Sequence, residues 1–414
     1  MPASTMPRHS IFKILETMPS RAELDLLLQL GRLPLEEVTE LSSFHFDSVD
    51  WEAFLTAAVH HGVLPLVSRN LQALGKRIPV PPPLREKLRA LAQANAHRTL
   101  GMAAESIRLV RLLASAGIVA FLQKGPALSA WLYQGDPTMR QSCDLDLWVK
   151  KKDAVAADKM LQAAGFLCHT HFFPRKFSSL AVNYCALGYS PPNARGSLLE
   201  LHWSLYPRGA PFSIDHNAVW SRLESFPLLQ QPILQPAVED TFLLLALHGC
   251  FHRFERLVWL SDLWALSRTR TVDWPVLQRR AERFRLQRPL AISCLLVERL
   301  FHLRWPIFQW ASTDRLAREL AGQMANSYFT STADQAAPGD AQQEGWGKLG
   351  YIASLSRSQW DRAVYALSLW LVPNEKEWRI ARLPPALDFL YVPLRPLRII
   401  AEHGLRPLRP FFKR

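Results

Sequence analysis

Apolar residues recur at helical spacing along most of this chain, whereas short stretches near its middle alternate between apolar and polar positions. Helical spacing is present in 21–75, in a long amphipathic stretch at 84–116, and again in 237–325. The Pro-rich segment at 80–83 separates the first two stretches. The chain is therefore predicted to be mainly helical, with a small sheet between its helical parts.

The middle of the chain carries the strand patterns. An apolar run is followed by a turn and a short helix, 126–133, and the later runs alternate between apolar and polar residues. A turn-rich connector at 188–196 joins the last two runs, so we expect them to form a hairpin beside the strand at 144–149. The predicted strands are 118–122, 144–149, 180–187 and 197–203.

Two carboxylates stand on the predicted strand 144–149. Asp144 and Asp146 are two residues apart, so both side chains point to one face of a strand while Leu145 and Leu147 point to the other. Neighbouring carboxylates repel each other unless a cation neutralises them, which indicates a divalent metal site. Such pairs also occur on solvated strand edges, where their role is structural.

A predicted phosphate site precedes this pair. Lys124 and Gly125 lie between the apolar strand and the short helix, with Pro126 in the first turn of that helix. A glycine there lets the backbone approach a phosphate, and a helix N-terminus offers unpaired N–H groups. Further along the chain, Glu200 and His202 share one face of the strand at 197–203, which adds a third carboxylate.

These residues together resemble a known superfamily. A glycine near the start of a short helix, a later Asp-x-Asp strand and an acidic residue on a following strand are similar to the DNA polymerase β-like nucleotidyltransferases. More narrowly, the chain resembles a bacterial, largely uncharacterised nucleotidyltransferase family over roughly residues 100–270. The matching elements are Lys124-Gly125, Arg140, Asp144-Leu145-Asp146 with Val149, Glu200-Leu201-His202-Trp203, and a His-rich block at 247–262.

The resemblance implies an α+β fold, in which a small mixed sheet forms a nucleotidyltransferase core inside a mainly helical chain. It implies an enzyme that transfers a nucleoside monophosphate from a nucleoside triphosphate, with Mg²⁺ or Mn²⁺ as the cofactor. The implied catalytic and metal-ligating residues are Asp144, Asp146 and Glu200. The implied nucleotide-binding residues are Lys124, Gly125, Arg140 and His202.

One position departs from the superfamily pattern. Pro126 follows Gly125 where the superfamily usually carries serine or glycine, and a proline removes one N–H donor from the predicted phosphate site. Three functions therefore stay open: transfer to a small molecule, glycan precursor or peptide, modification of a protein as by adenylylating members, and nucleotide or partner binding without turnover. The identity of the acceptor stays open in all of them.

Composition adds only a little about partners and location. The 49 Lys and Arg exceed the 36 Asp and Glu, which favours anionic partners such as nucleotides, nucleic acid or an acidic membrane surface. No helix-turn-helix, zinc-finger or RNA-binding motif supports nucleic acid. Five cysteines without Cys-x-x-Cys spacing, no signal-peptide pattern and no apolar run of about 18 residues predict a cytoplasmic protein.

Two further clusters carry alternatives. His248, His252 and Glu255 follow i, i+4, i+7 spacing and are interpreted first as core or capping residues, next as nucleotide or acceptor contacts, and last as a separate metal site. The C-terminal basic residues are predicted to be solvated around an apolar capping segment, with contact to anionic lipid as the less favoured alternative. They are Arg395, Arg398, Arg406, Arg409, Lys413 and Arg414.

The predicted domains follow these patterns along the chain. An N-terminal helical region, 1–98, precedes the nucleotidyltransferase-like core, 99–215, and a helical domain, 216–325. Small polar residues predict a flexible linker or surface loop at 326–345. The remainder, 346–414, is a C-terminal helical region rich in proline and arginine.

Overall fold

A computed structural model describes residues 19–33, 44–169, 185–193, 196–206, 209–329, 341–380 and 383–403. Its α-helices are α1 (Arg21–Leu30), α2 (Trp51–His60), α3 (Leu64–Leu74), α4 (Pro82–Ala114), α5 (Gly125–Leu132), α6 (Ala154–Ala163), α7 (His216–Trp220), α8 (Val238–Phe251), α9 (Leu257–Thr269), α10 (Trp274–Arg283), α11 (Gln287–Phe301), α12 (Phe308–Ser312), α13 (Arg315–Ser327), α14 (Ala341–Ser354), α15 (Gln359–Leu371), α16 (Glu375–Ile380) and α17 (Tyr391–His403). Its strands are β1 (Ala120–Leu122), β2 (Asp144–Val149), β3 (Leu167–Cys168), β4 (Ala186–Ser190), β5 (Leu198–His202), β6 (Leu223–Leu228) and β7 (Gln231–Pro236). None of the helices in these ranges is both long and apolar enough to cross a membrane.

Five strands form one mixed sheet in the order β1-β2-β5-β4-β3. β2 is antiparallel to β1 and parallel to β5, whereas β4 is antiparallel to both β5 and β3. The predicted hairpin is present, and its arm β5 lies directly beside β2, as expected. The predicted α+β fold, a small mixed sheet inside a mainly helical chain, is confirmed.

The alternation of residues in β2 and β5 gives the sheet an apolar and a polar face. Leu145, Leu147 and Leu199 are buried in a core that also contains side chains of α4 and α6. The polar residues of both strands point to the opposite face because successive strand residues alternate. The sheet therefore presents its candidate chemistry on the side away from α4 and α6.

A larger helical core packs the N-terminal helices α1–α3 against α8–α13. Helix α4 links this core to the sheet, because Leu84 and Leu88 belong to the helical core while Ile107 and Leu113 belong to the sheet core. Its first turn contains prolines, which need no N–H partner there. The proposed domain boundary at 98 falls inside this continuous helix, and the division into domains stays a prediction.

The hairpin of β6 and β7 is not predicted by the sequence patterns. Its two turn residues, Leu229 and Gln230, have φ angles of 47° and 65°. A two-residue turn of this left-handed kind is usually built from Asn-Gly or Asp-Gly. The turn therefore lacks the residue signal that would identify it in a sequence, although β7 packs closely against β1.

Two predicted segments fall partly outside the described residues. The strand predicted at 180–187 is observed from Ala186 onward, and residues 180–184 are outside the described ranges. The predicted linker at 326–345 is shortened from both sides, because α13 continues to Ser327 and α14 begins at Ala341. Residues 330–340 between them are outside the described ranges.

The C-terminal arginines that the structure describes are buried. Arg395 and Arg398 are each 9% exposed and both form ion pairs with the buried carboxylate of Glu377. The prediction that these two side chains are solvated is wrong, because a buried carboxylate requires positive partners. The remaining basic residues of the predicted cluster, Arg406, Arg409, Lys413 and Arg414, are outside the described ranges.

Candidate active site

The register of two parallel strands brings the candidate residues together. Asp146 of β2 lies opposite Glu200 of β5, and two residues further on Trp148 lies opposite His202. Because side chains alternate along both strands, Asp144 points to the same face as these four. Asp146 and Glu200, which are 54 residues apart in sequence, are thus direct neighbours in the sheet.

Three of these side chains form a compact cluster. His202 Nε2 lies 3.2 Å from Oδ1 of Asp146 and 3.1 Å from Oε2 of Glu200, so the imidazole connects the two carboxylates. One potential ligand atom from each of the three residues lies within 4.8 Å of the others. We call Asp146, Glu200 and His202 the carboxylate cluster; among the described residues it is the one group of three or more that could hold a metal ion.

An aromatic stack across the sheet holds the imidazole of the carboxylate cluster. The ring of His202 stacks on Trp148 with centroids 5.1 Å apart, and Trp148 stacks on Phe121 of β1 at 5.5 Å. The stacking partner of His202 therefore lies on the neighbouring strand β2. The stack fixes the ring plane, so Nε2 is directed towards the carboxylates.

Lys124 and Gly125 lie at the start of α5, next to the carboxylate cluster. Lys124 Nζ forms a buried ion pair with Oδ2 of Asp146 at 3.1 Å. Gly125 has a φ of +70°, a conformation that favours glycine, and a Cβ at this position would lie 3.7 Å from the carbonyl oxygen of Asp144. The backbone of the helix start therefore runs beside the beginning of β2.

The charges in the cluster favour ionised side chains. Burial alone would raise the pKa of Asp146, but Lys124 and the hydrogen bond with His202 lower it well below its usual range. The hydrogen bond with His202 also lowers the pKa of Glu200 despite its burial. Burial would lower the pKa of His202, yet the two carboxylates raise it to about 9. The carboxylate cluster and its partner Lys124 together thus contain two anions and two cations at neutral pH.

Asp144 stands beside this balanced group. It is half-buried, and both its burial and the charge of Asp146 raise the pKa of its carboxyl group. It is not one of the three residues whose ligand atoms lie within 4.8 Å of one another. The structure thus places the predicted aspartate pair on one strand face, with Asp146 inside the cluster and Asp144 next to it.

Arg140 has a buried partner that sequence reasoning missed. Its Nε lies 3.0 Å from a carboxylate oxygen of Asp262 in α9, and its Nη1 lies 3.2 Å from the hydroxyl oxygen of Ser142. An aspartate among the buried apolar residues of α9 could have signalled this pair, because buried aspartates need a cation. Arg140 therefore anchors the segment that leads into β2, and it lies near enough to both aspartates to act on their charges.

The His-rich segment does not form the predicted helical triad. Helix α8 ends at Phe251, so His248 lies within it, His252 is its C-terminal capping residue and Glu255 lies beyond it. The rings of His248 and His252 lie 4.8 Å apart and both pack near Trp259. Burial and the charge of Lys124 lower the pKa of His248 well below its usual range, which places this ring in the electrostatic surroundings of the cluster.

The donor set is suited to a divalent cation. Two ligands on opposite sides of an ion at about 2.1 Å are about 4.2 Å apart. The ligand atoms of the carboxylate cluster all lie within 4.8 Å of one another, so one ion could contact all three. Carboxylate oxygens suit Mg²⁺ and Mn²⁺, and an imidazole is tolerated by Mn²⁺ more readily than by Mg²⁺. Lys124 and His202, which both contact Asp146, also show that this buried carboxylate is stabilised by positive charge.

Comparisons with known proteins agree with this geometry at the level of the family. Neither the curated proteins nor the solved structures contain a significant match to the chain. Residues 47–302, more than half of the chain, match a family described as uncharacterised nucleotidyltransferase, and this region contains every residue of the site described above. The chain therefore belongs to the uncharacterised nucleotidyltransferase family, and its class of activity is nucleotidyl transfer.

Proposed function

We propose that this protein transfers a nucleoside monophosphate from a nucleoside triphosphate to an acceptor, with a divalent cation held by Asp144, Asp146 and Glu200. The observation that supports this most strongly is the convergence of Asp146 and Glu200 on one sheet face, next to Asp144 and opposite the start of α5. We also propose that the sheet belongs to the DNA polymerase β-like superfamily. The Gly125 turn, the carboxylates of β2 and the acidic residue of β5 support that placement.

The residues of the chain would divide the work as follows. Asp144 and Asp146 would hold the cation that binds the triphosphate, and Glu200 would complete the site or orient the attacking hydroxyl group. A bound divalent cation supplies charge neutralisation at the phosphates and lowers the pKa of an attacking hydroxyl. His202 would keep the carboxylates of Asp146 and Glu200 in place through its contacts with both.

The triphosphate would lie along the start of α5. Lys124 supplies positive charge beside Asp146, and the N–H of Gly125 lies at a helix N-terminus that favours anions. Pro126 supplies no N–H, so Lys124 must provide a larger share of the phosphate contacts than in chains with serine there. Arg140 is paired with Asp262 and acts chiefly by positioning β2.

The decisive experiment measures release of pyrophosphate. The purified chain is incubated with each labelled nucleoside triphosphate, Mg²⁺ or Mn²⁺, and a host lysate as the source of acceptors. We expect metal-dependent pyrophosphate release and label transfer by the wild type. Asp144→Asn and Asp146→Asn should each reduce the rate at least about 100-fold, because each removes a charge that holds the cation.

Asp47→Asn provides the matched control, since it makes the same chemical change at an exposed residue outside the site. It should retain the wild-type rate. Label on a small molecule, glycan or peptide would identify one acceptor class, and label on a protein band would identify the protein-modifying alternative. Tight triphosphate binding without transfer of any nucleotide would contradict the proposed activity and favour a binding module.

A further inference from the structure

A charged cleft lies away from the sheet. It has a volume of about 770 Å³ and is formed by the start of α11, the start of α13, the turn between α14 and α15, and the first turn of α15. Its lining includes four arginines and two carboxylates, namely Arg288, Arg315, Arg357, Arg362, Asp314 and Glu319. Four cations against two anions leave an excess of two positive charges, which favours an anionic ligand.

Part of this charge holds the fold together. Asp314 is buried and accepts hydrogen bonds from Nε of Arg288 at 3.0 Å and Nε of Arg357 at 2.9 Å. Arg288 also donates from Nη1 to the carbonyl oxygen of Ser356 at 2.8 Å. The negative charge of Asp314 is thus committed to two guanidinium groups and cannot neutralise the others.

In three of the arginines, the terminal Nη nitrogens are available to a ligand in the cleft. Arg315 uses Nε for Glu319 at 2.9 Å, and Arg362 uses Nε for the carbonyl oxygen of Ser356 at 2.9 Å. Arg357 is held by its Nε contact and by the ring of Trp310, 5.3 Å from its guanidinium carbon. Within the described ranges, no protein partner is observed for the Nη atoms of these three side chains. The guanidinium groups of Arg357 and Arg362 are therefore held in place with donors still available, and the largely exposed Arg315 supplies further donors.

Held guanidinium groups with available donors suit phosphate. Such groups bind phosphate oxygens in pairs, and a fixed side chain loses little entropy when it does so. Burial and the neighbouring charge of Arg288 lower the pKa of Arg362. A bound anion would offset this unfavourable effect on the charged guanidinium group. The volume is within the range of small-molecule sites.

We propose that this cleft binds a phosphate-bearing small molecule through Arg315, Arg357 and Arg362. These three residues lie beyond residue 302, where the family match ends, whereas Arg288 lies inside it. The cleft is thus built by attaching the C-terminal helices to the family region. This site is separate from the carboxylate cluster and does not depend on the activity proposed for it.

Calorimetric titration with pyrophosphate tests the proposal on the full chain at low salt, with EDTA present to remove divalent cations. We expect the wild type to bind pyrophosphate. Arg315→Gln and Arg362→Gln should each weaken binding about tenfold, because each removes a charged donor pair. The side chain of Arg315 is 86% exposed, so its replacement leaves the fold intact, which a melting curve verifies.

Arg318→Gln is the matched control, because Arg318 is an exposed arginine of the same helix α13 that does not line the cleft. The affinity of Arg318→Gln for pyrophosphate should stay within about twofold of wild type. No binding by the wild type, or an equal loss in Arg318→Gln, would overturn the proposal. Loss in Lys124→Gln alone would also overturn it, and would instead locate pyrophosphate at the candidate active site.

Discussion

At the scale of single residues, the two aspartates of β2 have different surroundings although only one residue separates them. Asp146 is 4% exposed and contacts both Lys124 and His202, whereas Asp144 is half-buried beside a negative neighbour. A carboxylate that is stabilised by cations contributes to stability, while one that is raised in pKa opposes folding. Function and stability therefore make opposite demands on Asp144.

Asp144→Asn is expected to raise the free energy of unfolding by about 0.5–2 kcal/mol without metal, while it abolishes nucleotidyl transfer. Burial and Asp146 raise the pKa of Asp144 in the folded state, so the folded protein binds more protons than the unfolded chain just above pH 3.8. Stability is thus lost as pH rises from the unfolded pKa of Asp144 through its higher folded pKa. Urea unfolding at pH 7 in EDTA measures the effect.

The same substitution at Asp146 is expected to change the free energy of unfolding in the opposite direction. Asp146→Asn should lower the free energy of unfolding, because it leaves Lys124 and a protonated His202 without their shared anion. A gain in stability for both variants, or for neither, would contradict this account of the two aspartates.

The buried pair of Arg140 and Asp262 permits a second test. Asp262→Asn should lower the free energy of unfolding by about 3–5 kcal/mol, because it leaves a buried guanidinium without its anion. The double variant Arg140→Met/Asp262→Leu should lower the free energy of unfolding by less than the sum of the decreases caused by the two single changes. Glu298→Gln breaks the exposed pair with Arg304 and should cost under about 1 kcal/mol. A small cost for Asp262→Asn in urea unfolding would contradict the importance of the pair.

The residues that can be placed from the sequence are those whose signal is local. Asp144, Asp146 and Glu200 can be placed because alternation along a strand assigns each side chain to a face. The link from Arg140 to Asp262 spans 122 residues and leaves no trace in local spacing. The two roles of His202, as bridge between carboxylates and as stacking partner, depend on the register of β2 and β5, which the sequence does not specify.

At the scale of elements, the start of α5 determines how closely the backbone approaches β2. Gly125→Ala should lower the free energy of unfolding by about 1–2 kcal/mol, because alanine is strained at a φ of +70° although its Cβ has room. Gly101→Ala, in the middle of α4 with open space around it, should instead raise it by about 0.5–1 kcal/mol. Equal effects of the two changes on thermal unfolding would show that the backbone at Gly125 is unstrained.

The turn of the β6-β7 hairpin can be improved by design. Leu229→Asn combined with Gln230→Gly should stabilise the protein by about 1 kcal/mol, because these residues tolerate the two positive φ angles. Leu229 is 42% exposed, so little packing is lost. Leu167→Asn, at a leucine that is 68% exposed in β3, controls for the removal of an exposed leucine and should not stabilise. A fall in melting temperature for the turn variant would contradict the prediction.

Elements with strong periodicity were predictable, and those fixed by unusual turns were not. β2, β5, α4 and α5 agree with their predicted ranges to within about two residues because their patterns are long or clearly bounded. The β6-β7 hairpin was missed because its turn contains neither glycine nor asparagine. The hydrophobic pattern reports which residues are buried, whereas a left-handed turn of Leu-Gln depends on packing from the rest of the molecule.

At the scale of the whole molecule, histidines at the junction of the helical core couple folding to pH. His61 follows α2, is 7% exposed, and lies against the ring of Tyr328 and near the charges of His60 and Arg256. Its Nδ1 is buried, and no described residue bonds to it. The neutral imidazole therefore joins elements from the N-terminal and C-terminal parts of the chain.

Burial, together with His60 and Arg256, lowers the pKa of His61 to about 3, whereas the unfolded chain binds this proton near pH 6.5. Between these values the unfolded state binds more protons, so the free energy of unfolding should fall as pH falls, by up to about 1.4 kcal/mol per pH unit. Urea titrations of wild type and His61→Gln from pH 7.5 to pH 5 measure this slope.

The free energy of unfolding of the wild type should fall towards that of His61→Gln as the solution becomes acidic. His97→Gln, a control at an exposed position of α4, should follow the wild type throughout. Parallel curves for wild type and His61→Gln would exclude His61 as the titrating group, and the acid sensitivity would then belong to His60, His216 or His248, whose pKa values are also lowered by burial.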